Sequence, residues 1–121
     1  MTIIEAINGI DTIKPNKYTT EQKIEWLKKL DGLLKEQVID THEGGRDIVI
    51  GENYNENDTE LIVSAPHDEL YIHYLAMKID FANNEYRKYN NSASMYNESL
   101  LEFKKWYNRE HMPKHVPNMS Y

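Results

Sequence analysis

Apolar and aromatic side chains recur at helical spacing through residues 65–113, and this pattern constrains the fold more than any other feature. Nine of the thirteen aromatic residues of the chain lie between positions 71 and 107. We predict one helix that begins at Pro66, where a missing backbone N–H costs nothing. We predict a second helix that ends at Pro113, with the joint between the two at Tyr89-Asn90-Asn91-Ser92.

The helix that begins at Pro66 carries two apolar stripes. On a helical wheel one side holds Leu70, Tyr74, Met77 and Phe81, and the nearly opposite side holds Ile72, Leu75, Ile79, Ala82 and Tyr86. Two opposed stripes indicate a helix that is covered on both sides. Either the chain's own helices cover both stripes, or one stripe meets another chain. Under the second interpretation the subunit-interface candidates are Leu70, Tyr71, Tyr74, Met77, Phe81 and Leu101.

Two further helices are predicted before this stretch. Thr2 and Glu5 have the spacing of a capping box, and Thr19 and Gln22 repeat it. Apolar residues then follow at helical spacing: Ile3, Ile4, Ile7 and Ile10 in the first helix, and Ile24, Leu27, Leu30, Leu34 and Val38 in the second. We expect the first helix to span about residues 2–12 and the second to end near Gly44.

Helical periodicity fails between residues 44 and 66. Two short β-prone runs, at residues 47–50 and 60–63, predict a small β-hairpin or a long loop between the second and third helices. Eight acidic residues and a single arginine lie between His42 and Glu69. This local charge disfavours binding of the loop to phosphates.

Composition limits the class of protein further. A chain of 121 residues makes one domain, residues 1–121, which we predict to be an all-α bundle of four helices with an acidic insertion at 44–66 and a C-terminal tail at 112–121. The absence of cysteine excludes disulfides, thiolate zinc sites and cysteine nucleophiles. No apolar run is long enough to cross a bilayer, and no secretory signal is recognisable at the N-terminus.

No catalytic, metal-binding or cofactor-binding residues are predicted, so we do not expect an enzyme. His111 and His115 have metal-ligand spacing, but Pro113 lies between them. A local cluster of basic residues surrounds two aromatic residues near the C-terminus; it comprises Lys104, Lys105, Arg109 and Lys114 beside Trp106 and Tyr107. Such interleaving leaves open a small nucleic-acid-binding protein, for packaging or regulation, that uses this basic helix.

Most of the chain resembles a family of small structural proteins from the head-morphogenesis modules of tailed phages and prophages of Gram-positive bacteria. The resemblance is carried chiefly by Pro66-His67-Asp68-Glu69-Leu70-Tyr71, Tyr89-Asn90-Asn91-Ser92 and Trp106-Tyr107-Asn108-Arg109. It implies a helical head–tail connector, also called an adaptor or head-completion protein, that forms a ring beneath the portal and extends the DNA channel toward the tail.

The resemblance also implies partners and a location. The partners would be the portal protein, neighbouring copies of the chain and a tail-side stopper or tail-completion protein, while packaged DNA passes through without specific binding and no membrane is involved. The location would be the virion neck, and the host cytoplasm during assembly. Channel-facing candidates are Glu52, Glu56, Asp58 and Glu60, and portal-docking candidates are Arg109, His111, Met112, Lys114 and His115.

Overall fold

A computed structural model describes residues 1–41 and 59–111, and within these ranges the chain is the predicted all-α bundle. Four α-helices and one 3-10 turn make up the fold: α1 is Ile3–Ile13, α2 is Thr20–Gln37, the 3-10 turn is Ile39–Thr41, α3 is Glu69–Ala82 and α4 is Tyr86–Glu110. No helix in the described part is long and apolar enough to cross a membrane.

Both predicted capping boxes are confirmed. The Thr2 hydroxyl accepts a hydrogen bond from the Glu5 N–H at 3.2 Å, and the Thr19 hydroxyl accepts one from the Gln22 N–H at 3.1 Å. In each box the partner side chain reaches back to the backbone N–H of the threonine. Local sequence therefore sets where α1 and α2 begin, because each box satisfies two amides that have no partner within the helix.

The second helix ends earlier than predicted, at Gln37. Val38 leaves helical geometry with φ −120° and ψ −61°, and the Thr41 N–H then bonds the Val38 carbonyl in a 3-10 turn. Val38 and Ile39 are both buried, so packing of these two side chains holds the bend in place. Gly44-Gly45, which the prediction used as the end, lies outside the described residues.

Pairing between strands is limited, in the described ranges, to an isolated antiparallel bridge between Thr2 and Glu60. The Ile3 N–H donates to the Thr59 carbonyl at 2.9 Å, and the Leu61 N–H donates to the Met1 carbonyl at 3.0 Å. The start of α1 is thus the partner of the predicted run at residues 60–63. The other half of the predicted hairpin, residues 47–50, lies outside the described residues.

Helix α3 is the central element, since it packs against α1, α2 and α4. Residues of both of its apolar stripes are buried in the same core, which includes Leu70 and Tyr74 from one stripe and Ile72, Leu75 and Ile79 from the other. This confirms the first of the two interpretations of α3 over most of its length. Gly9 of α1 faces Ile72 of α3: a Cβ at position 9 would lie 2.9 Å from Ile72 Cδ1, so a larger residue there would require the end of the Ile72 side chain to shift.

The predicted joint at Tyr89–Ser92 is wrong, because these residues lie inside α4. The turn lies before Tyr86, where Asn84 adopts a left-handed φ of 57°. Asparagine tolerates this conformation better than most residues. The Glu85 N–H then donates to the Asp80 carbonyl at 3.0 Å and closes the turn. Ser92 is a buried helical residue rather than a cap.

The helices run alternately up and down. At one end, which we call the loop end (residues 37–41, 59–69 and 103–111), the start of α1 meets the segment that leads into α3. At the other, the turn end (residues 11–19 and 80–90), the Tyr18 hydroxyl donates to the Asn83 side chain at 2.6 Å. Consequently α1 and α3 point the same way, and α2 and α4 return.

Candidate interaction surfaces

The turn end exposes two large aromatic side chains. Phe81 is 59% exposed and Tyr86 is 65% exposed. The Phe81 ring also contacts the Tyr89 ring, with 5.6 Å between their centroids. We call these three residues the turn-end aromatic patch. Isolated exposed apolar residues are ordinary on a monomer, but aromatic side chains grouped at one corner are typical of interaction sites.

A buried carboxylate fixes the backbone beneath this patch. Asp80 is 1% exposed, and its Oδ1 accepts a hydrogen bond from Lys14 Nζ at 2.8 Å. Its Oδ2 accepts one from the Ser92 hydroxyl at 2.6 Å. Because the carboxylate connects the end of α1 to α3 and α4, the backbone that carries the exposed aromatic residues is held in one position.

A second buried carboxylate lies toward the loop end. Asp31 is fully buried in α2, and it accepts hydrogen bonds from the Tyr71 hydroxyl at 2.6 Å and from the Ile62 N–H at 3.2 Å. The Tyr71 oxygen in turn accepts from the Val63 N–H at 2.9 Å. This network fixes the segment at residues 61–63 against α2 and α3, where the long acidic insertion returns to the bundle.

The sequence analysis missed both aspartates as structural centres. Asp31 lies four residues after Leu27 and three before Leu34, which places it on the apolar stripe of α2. Asp80 directly follows the buried Ile79. A carboxylate within a core stripe, as at Asp31, or directly beside one, as at Asp80, signals a buried polar network, because a buried charge persists only when it is hydrogen-bonded.

An aromatic cluster stands at the loop end. The His67 ring lies 5.1 Å from the Trp106 ring and 6.2 Å from the Phe103 ring, and His111 stacks on Tyr107 with centroids 3.9 Å apart. The Nδ1 atom of His111 is buried and has no hydrogen-bond partner among residues 1–41 and 59–111. Stacking contacts therefore hold that imidazole ring.

Two concave sites flank the pair formed by His67 and Trp106. The first, which we call the apolar pocket, has a volume of about 250 Å³; its lining is Ile39, Ile62, Val63, Ser64, Phe103, Trp106, Tyr107 and His111. The second, which we call the acidic groove, also has about 250 Å³; its lining is Pro66, His67, Glu69, Glu98, Ser99 and Glu102. Composition gave no sign of this groove, because Glu69 is about thirty residues away in the sequence from Glu98 and Glu102.

The contact between α3 and α4 includes a tyrosine pair. The rings of Tyr74 and Tyr96 lie 5.2 Å apart, and Lys78 Nζ lies 5.8 Å from the Tyr74 ring. Burial, together with the nearby Tyr74, raises the pKa of the Tyr96 hydroxyl to about 12. Burial also raises the pKa of Tyr74. Both hydroxyls therefore stay neutral well above physiological pH.

Half of the predicted subunit-interface residues are unavailable. Leu70 and Tyr71 are 0% exposed and Tyr74 is buried, because α3 lies inside its own bundle. As interface residues these three are wrong. Met77 is partly buried, whereas Phe81 and Leu101 are exposed and remain candidates.

The other predicted sites lie partly outside the described residues. This applies to Glu52, Glu56 and Asp58 of the acidic insertion and to Met112, Lys114 and His115 of the tail. Glu60 is exposed and lies 3.3 Å from the amino group of Met1. Arg109 is exposed at the end of α4, and His111 lines the apolar pocket.

Neither metal sites nor relatives identify the protein. Within residues 1–41 and 59–111, no group of three or more His, Asp or Glu side chains is placed to hold a metal ion. No protein-family model, no curated protein and no solved structure matches the chain. A functional proposal for the chain therefore depends on its sequence, its fold and the surfaces described above.

Proposed function

We propose that this protein is a structural, non-enzymatic virion component that forms a ring adaptor between the portal and the tail parts of a tailed phage. In the ring it would extend the DNA channel. It would act in the virion neck after assembly in the host cytoplasm. The family resemblance of the sequence motivates the proposal, and the turn-end aromatic patch is the observation that carries it.

A ring needs two different contact surfaces on every subunit, one for each neighbour. The turn-end aromatic patch supplies one candidate, with Phe81 and Tyr86 exposed. Leu101, which is 51% exposed on α4, belongs to a second face. Because Asp80 fixes the turn beneath the patch, docking there would not require the backbone to be ordered first.

Portal docking is assigned to the loop end. Arg109 and His111 lie there, and the remaining tail candidates follow directly in the chain. In this arrangement the turn end contacts neighbouring copies while the loop end faces the portal. The tail-side stopper or completion protein would bind after the ring has closed.

Co-migration with portal protein on size exclusion tests the proposal. We expect the unmodified chain to co-migrate with the portal protein of its own phage as a multimer. The double variant Phe81→Ser, Tyr86→Ser should keep its helical content but lose the multimer. Lys29→Ser, an exposed change on α2, is the matched control. If the aromatic double variant still forms multimers, the patch is not the subunit contact. If no complex with the portal protein forms, the chain is not an adaptor.

A small nucleic-acid-binding protein is the second candidate. Lys105 and Arg109 are exposed one helical turn apart on α4, and neither forms an ion pair with another described residue. Fluorescence polarisation with duplex DNA over a salt series separates the two functions. Binding that falls steeply with salt and depends on Lys105 and Arg109 would favour this candidate. The adaptor predicts weak binding that these substitutions leave unchanged.

A further inference from the structure

The apolar pocket has the size and walls of a site for one large side chain. Its volume of about 250 Å³ exceeds the roughly 150 Å³ of an engineered protein cavity that binds benzene. Aromatic rings from α4 form one wall, and Ile62 and Val63 form another. Pockets of this kind receive the aromatic or aliphatic anchor residues that dominate protein interfaces.

The walls of the apolar pocket are held in place before any partner arrives. Asp31 and Tyr71 fix residues 62 and 63 through the buried hydrogen bonds described above. Trp106 is packed by His67, and Tyr107 is packed by His111. Because a preformed pocket loses little conformational entropy on binding, little of the free energy gained by inserting one side chain is spent on ordering the pocket.

The acidic groove gives the charge of the partner. Glu98 and Glu102 lie one turn apart on α4, where like charges repel, and Glu69 joins them from the start of α3. The ion pairs of the described residues include none to these three glutamates. A cation supplied by a partner would relieve this repulsion.

We infer that the apolar pocket and the acidic groove together bind one protein segment, which inserts a large apolar or aromatic side chain beside a lysine or arginine. His67 and Trp106 separate the two sites, so adjacent side chains of one segment reach both. The inference deepens the proposed function and rests on it for the identity of the partner, since it specifies the segment by which the portal would hold the loop end.

Model peptides test this inference on the full-length protein without portal. The probe is acetylated and amidated Gly-Ser-Trp-Arg-Ser-Gly, followed by two-dimensional NMR of the indole N–H signals. We expect the Trp106 signal to shift with added peptide, while the signal of Trp26, which packs on Tyr18 at the turn end, stays in place. Replacing the peptide tryptophan with alanine should weaken binding about tenfold or more. Replacing its arginine with glutamate should weaken binding at least about two- to fivefold.

Matched variants locate the binding site. Ser64→Trp fills the mouth of the apolar pocket from an exposed position and should abolish binding, whereas Ser94→Trp, on an exposed part of α4, should not. Glu98→Gln with Glu102→Gln should remove the preference for arginine over glutamate. The same double change at Glu21 and Glu25 on α2 is the control. Circular dichroism on each variant confirms that it folds.

Each outcome decides the inference separately from the adaptor function. Loss of peptide binding in Ser64→Trp, together with loss of the arginine preference in the glutamine variant, supports it. The inference is overturned if Ser64→Trp leaves peptide binding unchanged, or if the unmodified protein does not bind the peptide. If the chain self-associates and Ser64→Trp abolishes that association, the occupant is a second copy of the chain. If the double variant Val116→Ser, Met119→Ser binds the peptide tenfold more tightly, the occupant is the chain's own tail. Either result would also overturn the inference. A portal complex that persists in Ser64→Trp would contradict this inference and leave the adaptor function intact.

Discussion

The two buried aspartates stabilise the two ends of the bundle in different ways. Asp31 accepts hydrogen bonds from a phenol and a backbone N–H, and Tyr71, which supplies the phenol, is itself fully buried. Asp80 accepts from an ammonium group and a serine hydroxyl, and Lys14, which supplies the ammonium group, is 26% exposed. Asp31 lies deep in the core, whereas Asp80 lies beneath exposed aromatic residues.

This difference separates a network enclosed in the core from a network that reaches the surface through Lys14. Removing Asp31 would take the acceptor away from donors that are buried from water, and an unsatisfied buried donor costs its full desolvation free energy. Removing Asp80 would release Lys14 to solvent, where its charge is hydrated. The two ends should therefore respond to the same substitution with different losses of unfolding free energy.

Asp31→Ala should give the largest effect, a loss of about 3–5 kcal/mol in the free energy of unfolding. The substitution leaves the Ile62 N–H and the Tyr71 hydroxyl without their acceptor and creates a cavity. Urea denaturation followed by circular dichroism measures the loss. Asp40→Ala, which breaks an exposed ion pair to Lys35, is the control and should cost under about 1 kcal/mol. Equal losses in the two variants would show that Asp31 is not a structural centre.

Asp80→Ala should cost less, about 2 kcal/mol. It leaves the Ser92 hydroxyl buried without its acceptor, but Lys14 can turn into solvent. The same denaturation experiment applies, with Glu85→Ala at the same end as the control. A loss larger than that of Asp31→Ala would reverse the comparison between the two ends.

Tyr71→Phe should cost about 1–2 kcal/mol, because it removes one donor to Asp31 and the acceptor of the Val63 N–H. A double-mutant cycle with Asp31→Ala sharpens the comparison. Because both residues belong to one network, the double variant should lose less than the sum of the single losses. Additive losses would show that the two side chains act independently.

The fold was predictable where local sequence decides it. The capping boxes at Thr2 and Thr19 fixed the starts of α1 and α2 because both partners lie within four residues. The turn between α3 and α4 was not predictable in this way. The chain has two Asn-Asn pairs, at 83–84 and 90–91, and Ser92 follows the second in the manner of a cap. Contact of Ser92 with Asp80, twelve residues away, keeps the second pair helical.

The candidate sites show the same limit. Leu101 was a subunit-interface candidate, and at 51% exposure it is accessible to a neighbour. Burial of Leu70 and Tyr71 did not follow, because periodicity cannot say which chain covers an apolar stripe. The acidic groove was hidden for a related reason, since Glu69 joins Glu98 and Glu102 through the packing of α3 on α4.

The smallest predicted effect concerns Tyr96 and alkaline pH. The pKa of Tyr96 is raised to about 12 in the folded chain, against an ordinary value of 10.0. Its contribution to stability is therefore complete below pH 10 and is lost as pH rises toward about 12. In Tyr96→Phe the free energy of unfolding, measured by circular dichroism, should fall less steeply as the pH rises through that window. An unchanged pH profile in the variant would contradict the raised pKa.

Native mass spectrometry of the purified chain, with and without the portal protein of its own phage, tests the adaptor account most directly. The account predicts a closed multimer of the chain bound to the portal ring, and loss of that multimer when Phe81 and Tyr86 are replaced by serine. A chain that never associates with the portal, or that forms the same multimer without its turn-end aromatic residues, would contradict it.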